Sequence, residues 1–357
     1  MNVVVVGATG AVGTVFLRVL EERKFPVKDL KLVASPRSVG KRIRVFGQDY
    51  IVEALGPDTF KGADIAFVSA DGSISRVACP QAAAAGAVAI DDSSVFRMEP
   101  GVPLVVPEIN GDDLELHKGI VSIPNCTTTP LAMALHALRQ AATIRRVTVA
   151  TYQAVSGTGR AAMNELEEQS RAALNGREHP PKAYPHPIAF NLLPQVDSFL
   201  ENGYTREEWK MVQETRKILH LPELPVSATC VRVPVQVSHS EAVHVELDRP
   251  MTSAEARELL GRLAGVKVKD RPEQSEYPMP LQAAGTDETW VGRIRQDASH
   301  PNGLAFWVVS DNLRKGAAVN AIQIAEEMLR RELLGARGLH TRLTLDGPAK
   351  TVRIDAT

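Results

Sequence analysis

The sequence predicts an α/β chain in two parts: a doubly wound parallel sheet, then an α+β domain with a largely antiparallel sheet. Three observations predict this. The chain opens on a short β-branched run, residues 3–6, that ends in glycine, the pattern of a strand buried on both faces. Short strands and helices then alternate to about residue 143, as parallel βαβ units require. Beyond it the strands lengthen and the helices thin out, which suits antiparallel pairing.

Each element follows from local pattern. A helix is read over 13–22, with Val15, Phe16, Val19 and Leu20 on one side. Strands follow at 30–34, 65–68 and 87–90, with an alanine-rich helix over 74–85, where helix propensity alone explains the alanines. In the second part, strands are expected at 146–152, 229–237, 243–247, 290–295 and 304–309, with helices at 160–174 and 209–219. Between them, 178–194 carries Pro180, Pro181, Pro185, Pro187 and Pro194, which marks an excursion from the core. A long amphipathic helix, 313–334, follows Asn312. The expected division is 1–125, completed by that helix, then 126–312, then a tail over 335–357 with a short strand at 342–345. No internal repeat is seen.

The 357-residue length is long for one core, so two domains are the natural expectation. A formal net charge of -1 leaves no basic footprint for nucleic acid or an anionic membrane. No window approaches the roughly 20 apolar residues of a membrane span, and the start of the chain lacks a basic leader. Three cysteines without metal-ligand spacing fit a reducing compartment and no disulfide framework. The expectation is a cytoplasmic enzyme acting on a small molecule, with no metal.

Gly7-Ala8-Thr9-Gly10-Ala11-Val12-Gly13 joins the first strand to the first helix. Glycines there let backbone amides approach a pyrophosphate, whose charge the helix N-terminus favours. The spacing is weak evidence by itself; its place in a βαβ unit makes it a Rossmann-like dinucleotide site. The end of the second strand selects the nucleotide. It reads Ala34-Ser35-Pro36-Arg37-Ser38-Val39-Gly40-Lys41, without the acid that holds a ribose 2′-hydroxyl. Arg37 and Ser38 suit a 2′-phosphate instead, so NADP is expected. The bland alternative is that Arg37 and Lys41 are solvated loop charges.

Asn125-Cys126-Thr127-Thr128-Thr129-Pro130 precedes the apolar run 131–138. Threonines suit a helix cap and Pro130 the first helical position. A thiol at a helix start gains thiolate character, whereas Cys79 and Cys230 read as small buried hydrophobes. A thiolate beside a nicotinamide points to acyl transfer coupled to hydride transfer. On residue type alone the proton carrier stays open among His186, His220, His239, His244 and His300.

Taken in order, the chain closely resembles the aspartate-semialdehyde dehydrogenase family along nearly its whole length. The resemblance rests on GATGAVG at 7–13, Arg37-Ser38, Asp92-Ser93-Ser94 with Phe96-Arg97-Met98, and VPLVVPEIN at 102–110. It continues with PNCTT at 124–128, QAVSGTG at 153–159, IAFNLLPQVD at 188–197 and Glu214-Thr215-Arg216-Lys217. RVPVQVSHSE at 232–241 and SDNLRKGAA at 310–318 complete it. It implies reductive dephosphorylation of L-aspartyl 4-phosphate by NADPH, a branch-point step toward lysine, methionine and threonine.

Residue by residue, the resemblance implies Cys126 as nucleophile, Gln153 to orient the acyl group, and His239 as general acid/base, a role that the natural pKa of histidine near neutrality suits. It implies Arg232 for the substrate α-carboxylate and Glu214 for its ammonium. Arg97, Asn125 and Lys217 would hold phosphate. Gly7, Thr9, Gly10, Ala11, Val12, Gly13, Arg37, Ser38, Ser156, Gly157 and Asn312 would contact the cofactor. The family is usually homo-oligomeric, so a homodimer or dimer of dimers is expected, with the proline-rich excursion and the 160–174 helix as dimer elements. Ser238 stands where relatives often have glycine.

One tension is internal to the sequence. Arg232 and His239 are seven apart, which on one unbroken strand would put them on opposite faces. A bulge or turn at Pro234 and Ser238, or placement on different strands, must restore convergence. Two other functions stay open. A sister reductase for N-acetyl-γ-glutamyl phosphate usually sets its cysteine between glycine and tyrosine, and a non-catalytic NADP-binding redox sensor would need no Gln153, Arg232 and His239.

Overall fold

The structure, a computed structural model, describes residues 1–334 and, as backbone, the paired strands Thr341–Asp346 and Thr351–Ala356. The first of these covers the strand expected at 342–345; residues 335–340, 347–350 and 357 of the tail lie outside the described residues. The chain forms two compact units, Met1–Pro124 with Ala317–Thr357, and Asn125–Gly316. No helix among the described residues is long and apolar enough to cross a membrane.

The first unit runs β1 (Asn2–Val6), α1 (Ala11–Glu22), β2 (Asp29–Val33), β3 (Arg42–Val45), β4 (Gln48–Glu53), β5 (Ile65–Val68), α2 (Gly72–Ala84), β6 (Val88–Asp91), α3 (Pro107–Asn110) and β7 (Ile120–Ser122). Its sheet has the order β3-β4-β2-β1-β5-β6-β7, with β2, β1, β5, β6 and β7 parallel. The valines of β1 explain its place at the centre. Val3 and Val5 pack with Phe16, Leu20 and Phe67, while Val4 and Val6 face Phe60, Ala78 and Phe96. Each such side chain contributes about 1.5–3 kcal/mol over leaving it exposed.

Two features were absent from the sequence reading. The β3–β4 hairpin turns at Phe46 (φ 50°) and Gly47 (φ 72°), the paired positive φ values of a tight hairpin turn. It extends the sheet through a parallel β2–β4 pairing. At the other edge β7 is only three residues long. The C-terminal helix also differs: a π-helical turn, Arg314–Ala318, leads into α9 (Val319–Arg330). Ile322, Ala325 and Met328 of α9 bury against the β1 core.

The second unit comprises α4 (Thr128–Leu138), β8 (Ile144–Gln153), α5 (Arg160–Leu174), α6 (Arg206–Ile218), β9 (Val226–Arg232), β10 (His239–Leu247), α7 (Ser253–Arg262), β11 (Val266–Val268), α8 (Pro280–Ala283), β12 (Thr289–Gln296) and β13 (Gly303–Ser310). The sheet order is β11-β12-β13-β10-β8-β9. The three central pairings are antiparallel and both edge pairings, β8–β9 and β11–β12, are parallel. The sheet is therefore mixed, more so than its long strands suggested.

The strand ends need correcting where they matter most. β9 stops at Arg232 and β10 starts at His239, instead of 229–237 and 243–247. Pro234 has no N–H for a ladder, and Ser238 takes φ 79°, so 233–238 is a connection. Helix α6 begins at Arg206, three residues earlier than expected. A capping box starts it: Glu208 N–H donates to Thr205 Oγ1 (3.3 Å) and Thr205 N–H to Glu208 Oε2 (2.6 Å). The proline-rich excursion is ordered against α5. Glu165 Oε2 accepts from Lys182 N–H, and Gln169 Oε1 accepts from Ile188 and Ala189 N–H.

Candidate active site

Three predicted residues end three neighbouring strands. Gln153 closes β8 directly opposite Arg232, the last residue of β9. On the other side of β8, Ser240 pairs with Tyr152, which puts His239 at the adjoining start of β10. All three side chains are buried. The parity conflict disappears because Arg232 and His239 lie on different strands, either side of β8. The residue after Gln153 ties them together: Arg232 Nη1 donates to the Ala154 carbonyl (2.6 Å), and Ala154 N–H donates to His239 Nδ1 (2.9 Å).

That second bond fixes the imidazole. With Nδ1 accepting, the neutral ring carries its proton on Nε2, which is buried without a hydrogen-bond partner among the described residues. Burial first, then the Arg232 charge, lower its pKa to about 3. The expected near-neutral titration is thus corrected: His239 stands as a neutral donor at Nε2. Gly157 lies against both groups, since a Cβ there would stand 3.0 Å from Arg232 Nη1 and 3.2 Å from His239 Nε2. From the excursion, Tyr184 places its ring 5.9 Å from the Arg232 guanidinium carbon and donates its hydroxyl to Thr158 Oγ1.

Cys126 precedes the cap residue of α4, Thr127, and is half-buried. Pro130 occupies the third helical position instead of the first, still within the turn whose N–H groups lack helical acceptors. Asn125 organises this corner. Its Oδ1 accepts from Thr127 N–H (2.9 Å) and Thr127 Oγ1 (2.6 Å) and lies 3.7 Å from Cys126 Sγ. Its Nδ2 donates to Glu207 Oε1 (3.0 Å), which also accepts from Gln153 Nε2 (3.0 Å). Gln153 Oε1 in turn accepts from Thr151 Oγ1 (2.9 Å). The thiol and Gln153 therefore belong to one hydrogen-bonded chain.

Glu214 is 1% exposed and accepts the Asn125 N–H at 2.7 Å. Its burial and this bond make Glu214 a support of the cysteine turn. Lys217 is half-buried one helical turn further along α6. Asn312 Oδ1 accepts from Ser156 Oγ (3.0 Å) and from Ser238 N–H (2.9 Å), so it braces the turn that delivers His239.

The first unit contains the glycine turn. Gly7 has φ 89°, and a Cβ on it would stand 1.9 Å from the Ser69 carbonyl oxygen; one on Gly13 would stand 2.1 Å from that of Gly7. Gly10 heads α1 with no side-chain cap, which leaves the helix start open to an anion across Thr9, Ala11 and Val12. Thr9 Oγ1 donates to Ser38 Oγ (3.1 Å), which also accepts from Lys41 Nζ (3.3 Å). Arg37 is exposed beside them. Glycines with no room for a side chain, an uncapped helix and a cationic 35–41 loop fit a phosphorylated dinucleotide. Arg97, also in this unit, is buried and donates to the Asp92 carbonyl (2.8 Å).

Cys79 and Cys230 are fully buried, and burial pushes both thiols up. Sequence reasoning missed Glu207, Ala154 and Gly316. A Cβ on Gly316 would stand 2.9 Å from that of Cys126, so only glycine fits there. Glu207 reads in sequence as one more acid in an exposed helix start, and Ala154 acts through its backbone alone.

Comparison with known proteins gives the chain's relatives. Residues 2–117 match the family model "Semialdehyde dehydrogenase, NAD binding domain", and 135–315 match "Semialdehyde dehydrogenase, dimerisation domain". Aspartate-semialdehyde dehydrogenase of Aquifex aeolicus is 51% identical, covering 93% of this chain and 99% of that protein. The Bacillus subtilis enzyme of the same name is 47% identical over 94% of this chain and 99% of its own. Among solved structures, aspartate semialdehyde dehydrogenase II of Vibrio cholerae, complexed with ASA, superposes with a TM-score of 0.89 at 43% identity, covering 92% of this chain and 98% of that one.

Proposed function

The chain belongs to the aspartate-semialdehyde dehydrogenase family, and from that premise we propose how its residues divide the work. It is an NADP-dependent oxidoreductase that converts L-aspartyl 4-phosphate to L-aspartate 4-semialdehyde and phosphate, in the biosynthesis of lysine, methionine and threonine. The observation that carries the residue assignment is the Ala154 clamp, which holds a guanidinium from β9 and a neutral imidazole from β10 on either side of the residue that follows Gln153.

Cys126 Sγ attacks the acyl carbon; the carbon–oxygen bond to phosphate breaks and phosphate leaves with the electron pair, giving a thioester. Arg97, Asn125 and Lys217 take the charge of the departing phosphate. The 7–13 glycine turn would hold NADPH, with Arg37 and Ser38 toward its 2′-phosphate and Ser156, Gly157 and Asn312 as further contacts, and the bound nucleotide would supply the hydride. Arg232 grips the substrate α-carboxylate bidentately, and Glu214 faces its ammonium. Gln153 orients the acyl oxygen. As negative charge builds on that oxygen, His239 donates from Nε2, the one proton-bearing atom its bond to Ala154 leaves. Breaking the carbon–sulfur bond then frees the aldehyde and returns the thiol.

Residues 1–125 with the C-terminal helix serve the nucleotide, and 126–312 catalysis and dimerisation. The assembly is a homodimer or dimer of dimers in the cytoplasm. Phe190 and Leu192 of the excursion, and Phe199 just beyond it, support the oligomer, since these apolar side chains are exposed.

The test is a phosphate-dependent assay of NADPH formation from aspartate semialdehyde. Turnover with that substrate is expected. Turnover only with the N-acetylglutamate semialdehyde, or none, rejects the assignment in favour of the sister reductase or a redox sensor.

A further inference from the structure

Glu207 has no part in the steps above, yet it is 6% exposed and lies at the junction of the site's two amides. Its Oε1 accepts Asn125 Nδ2 and Gln153 Nε2, each at 3.0 Å, while Oε2 takes Lys210 Nζ at 3.1 Å. Lys210 also reaches Asp197 Oδ2 at 2.9 Å, so the carboxylate is pinned from behind.

A carboxylate of this kind can only accept, so both amides must turn their nitrogens toward it. The opposite ends agree. Thr127 N–H, which can only donate, meets Asn125 Oδ1, and the Thr151 hydroxyl donates to Gln153 Oε1. The orientation of each amide is thus set by chemistry on both sides. Each primary amide has two N–H donors, and one of each is spent on Glu207. The second of each is available to substrate oxygens, and the two nitrogens can be no farther apart than two hydrogen bonds through one oxygen.

We propose that Glu207 is a positioning residue that aligns the remaining N–H of Asn125 with the phosphate and that of Gln153 with the acyl oxygen. The inference rests on the function proposed above. Burial alone would raise the Glu207 carboxyl, but Lys210, the Gln153 amide and Arg232 outweigh it and hold it at about 2, so it is ionised whenever the enzyme works. Without that charge Gln153, whose other end meets a hydroxyl that can also accept, can rotate by half a turn and present its carbonyl where a donor is needed, while Asn125, still held at Oδ1 by Thr127 N–H, loses the acceptor that fixes its amide nitrogen.

Glu207→Gln tests this in the phosphate-dependent assay. The expected result is a fall in kcat of about 100-fold and a rise in KM for phosphate of about 10-fold, with NADPH binding and melting temperature near those of the unaltered protein. Glu207→Asp keeps the charge and the helix but draws the carboxylate back from the amides, and should also lose kcat by about 10-fold; it carries the test if the glutamine variant does not fold. In a Gln153→Ala background, Glu207→Gln should cost no more than about twofold further in kcat. Costs that multiply instead, or a kcat in Glu207→Gln within about twofold of the unaltered enzyme, overturn the proposal. Failure of the underlying function appears differently, as no turnover by the unaltered protein.

Discussion

Arg232 and His239 hold opposite ends of one residue: the guanidinium binds the Ala154 carbonyl at 2.6 Å, and the imidazole accepts the Ala154 N–H at 2.9 Å. The two strand ends that carry them flank β8, so the ladder fixes their spacing before any substrate arrives. It also fixes the histidine's tautomer, because a proton on Nδ1 would confront the Ala154 N–H.

The first prediction concerns acid stability. His239 sits at about 3, against 6.5 for an ordinary imidazole. The unfolded chain therefore binds more protons in that window. The stability the neutral ring contributes is complete above pH 6.5 and is lost as pH falls toward 3, by up to about 1.4 kcal/mol per pH unit. Glu207 adds to the acid loss below pH 4.5, whereas Asp91 and Glu241, both raised by burial, act in the opposite sense. The informative quantity is the difference between two proteins. Urea unfolding from pH 7 to 5 should show a shallower loss in His239→Asn than in the unaltered chain; equal slopes would mean that the ring titrates normally.

Ser238 supplies the second. Its φ of 79° suits glycine, and its buried hydroxyl has no hydrogen-bond partner among the described residues. Ser238→Gly removes both penalties and should stabilise the protein by about 1 kcal/mol, raising the melting temperature by about 2–4 °C, with kcat nearly unchanged. A lower melting temperature would show that the turn is not strained.

Gly316 supplies the third. An added Cβ would meet Cys126 at 2.9 Å, backed by the Cys126 Cα at 3.2 Å. Gly316→Ala must push the nucleophile aside, costing about 1–3 kcal/mol of stability and about 10–100-fold in kcat. Steady-state kinetics and thermal unfolding read the two effects separately, and unchanged kcat would argue that the thiol tolerates displacement.

The cofactor loop supplies the fourth. Replacing Arg37 and Ser38 by alanine should raise KM for NADPH by about 10–100-fold, the worth of one or two charge-assisted hydrogen bonds, and leave KM for NADH almost unmoved. Equal losses for both nucleotides would place the 2′-phosphate elsewhere.

How far the sequence could be read follows from what each residue shows without its neighbours. Val3 to Val6 and the glycines after them announce a central strand and an anion turn, because an unbroken β-branched run and a glycine at positive φ before a helix are signals carried by adjacent residues. The β3–β4 hairpin escaped notice because Arg42, Arg44, Gln48, Asp49 and Glu53 break 42–53 into short apolar pieces, as an edge suits. His239-Ser240-Glu241 opens a buried strand with polar residues, and no hydrophobic pattern marks such a start. The β9 run was read too far because valines 233, 235 and 237 look like strand around Pro234. Glu207 needed tertiary contacts: only the fold brings a helix-start acid onto residues 82 and 54 positions away.

The central claim, a thioester on Cys126, is tested most directly by intact-mass and peptide analysis after mixing the enzyme with aspartate semialdehyde and NADP without phosphate. The account predicts a burst of about one NADPH per subunit and a hydroxylamine-labile aspartyl adduct on the peptide carrying Cys126, both absent in Cys126→Ala, which still binds NADPH. No adduct, or an adduct on Cys79 or Cys230, would contradict it.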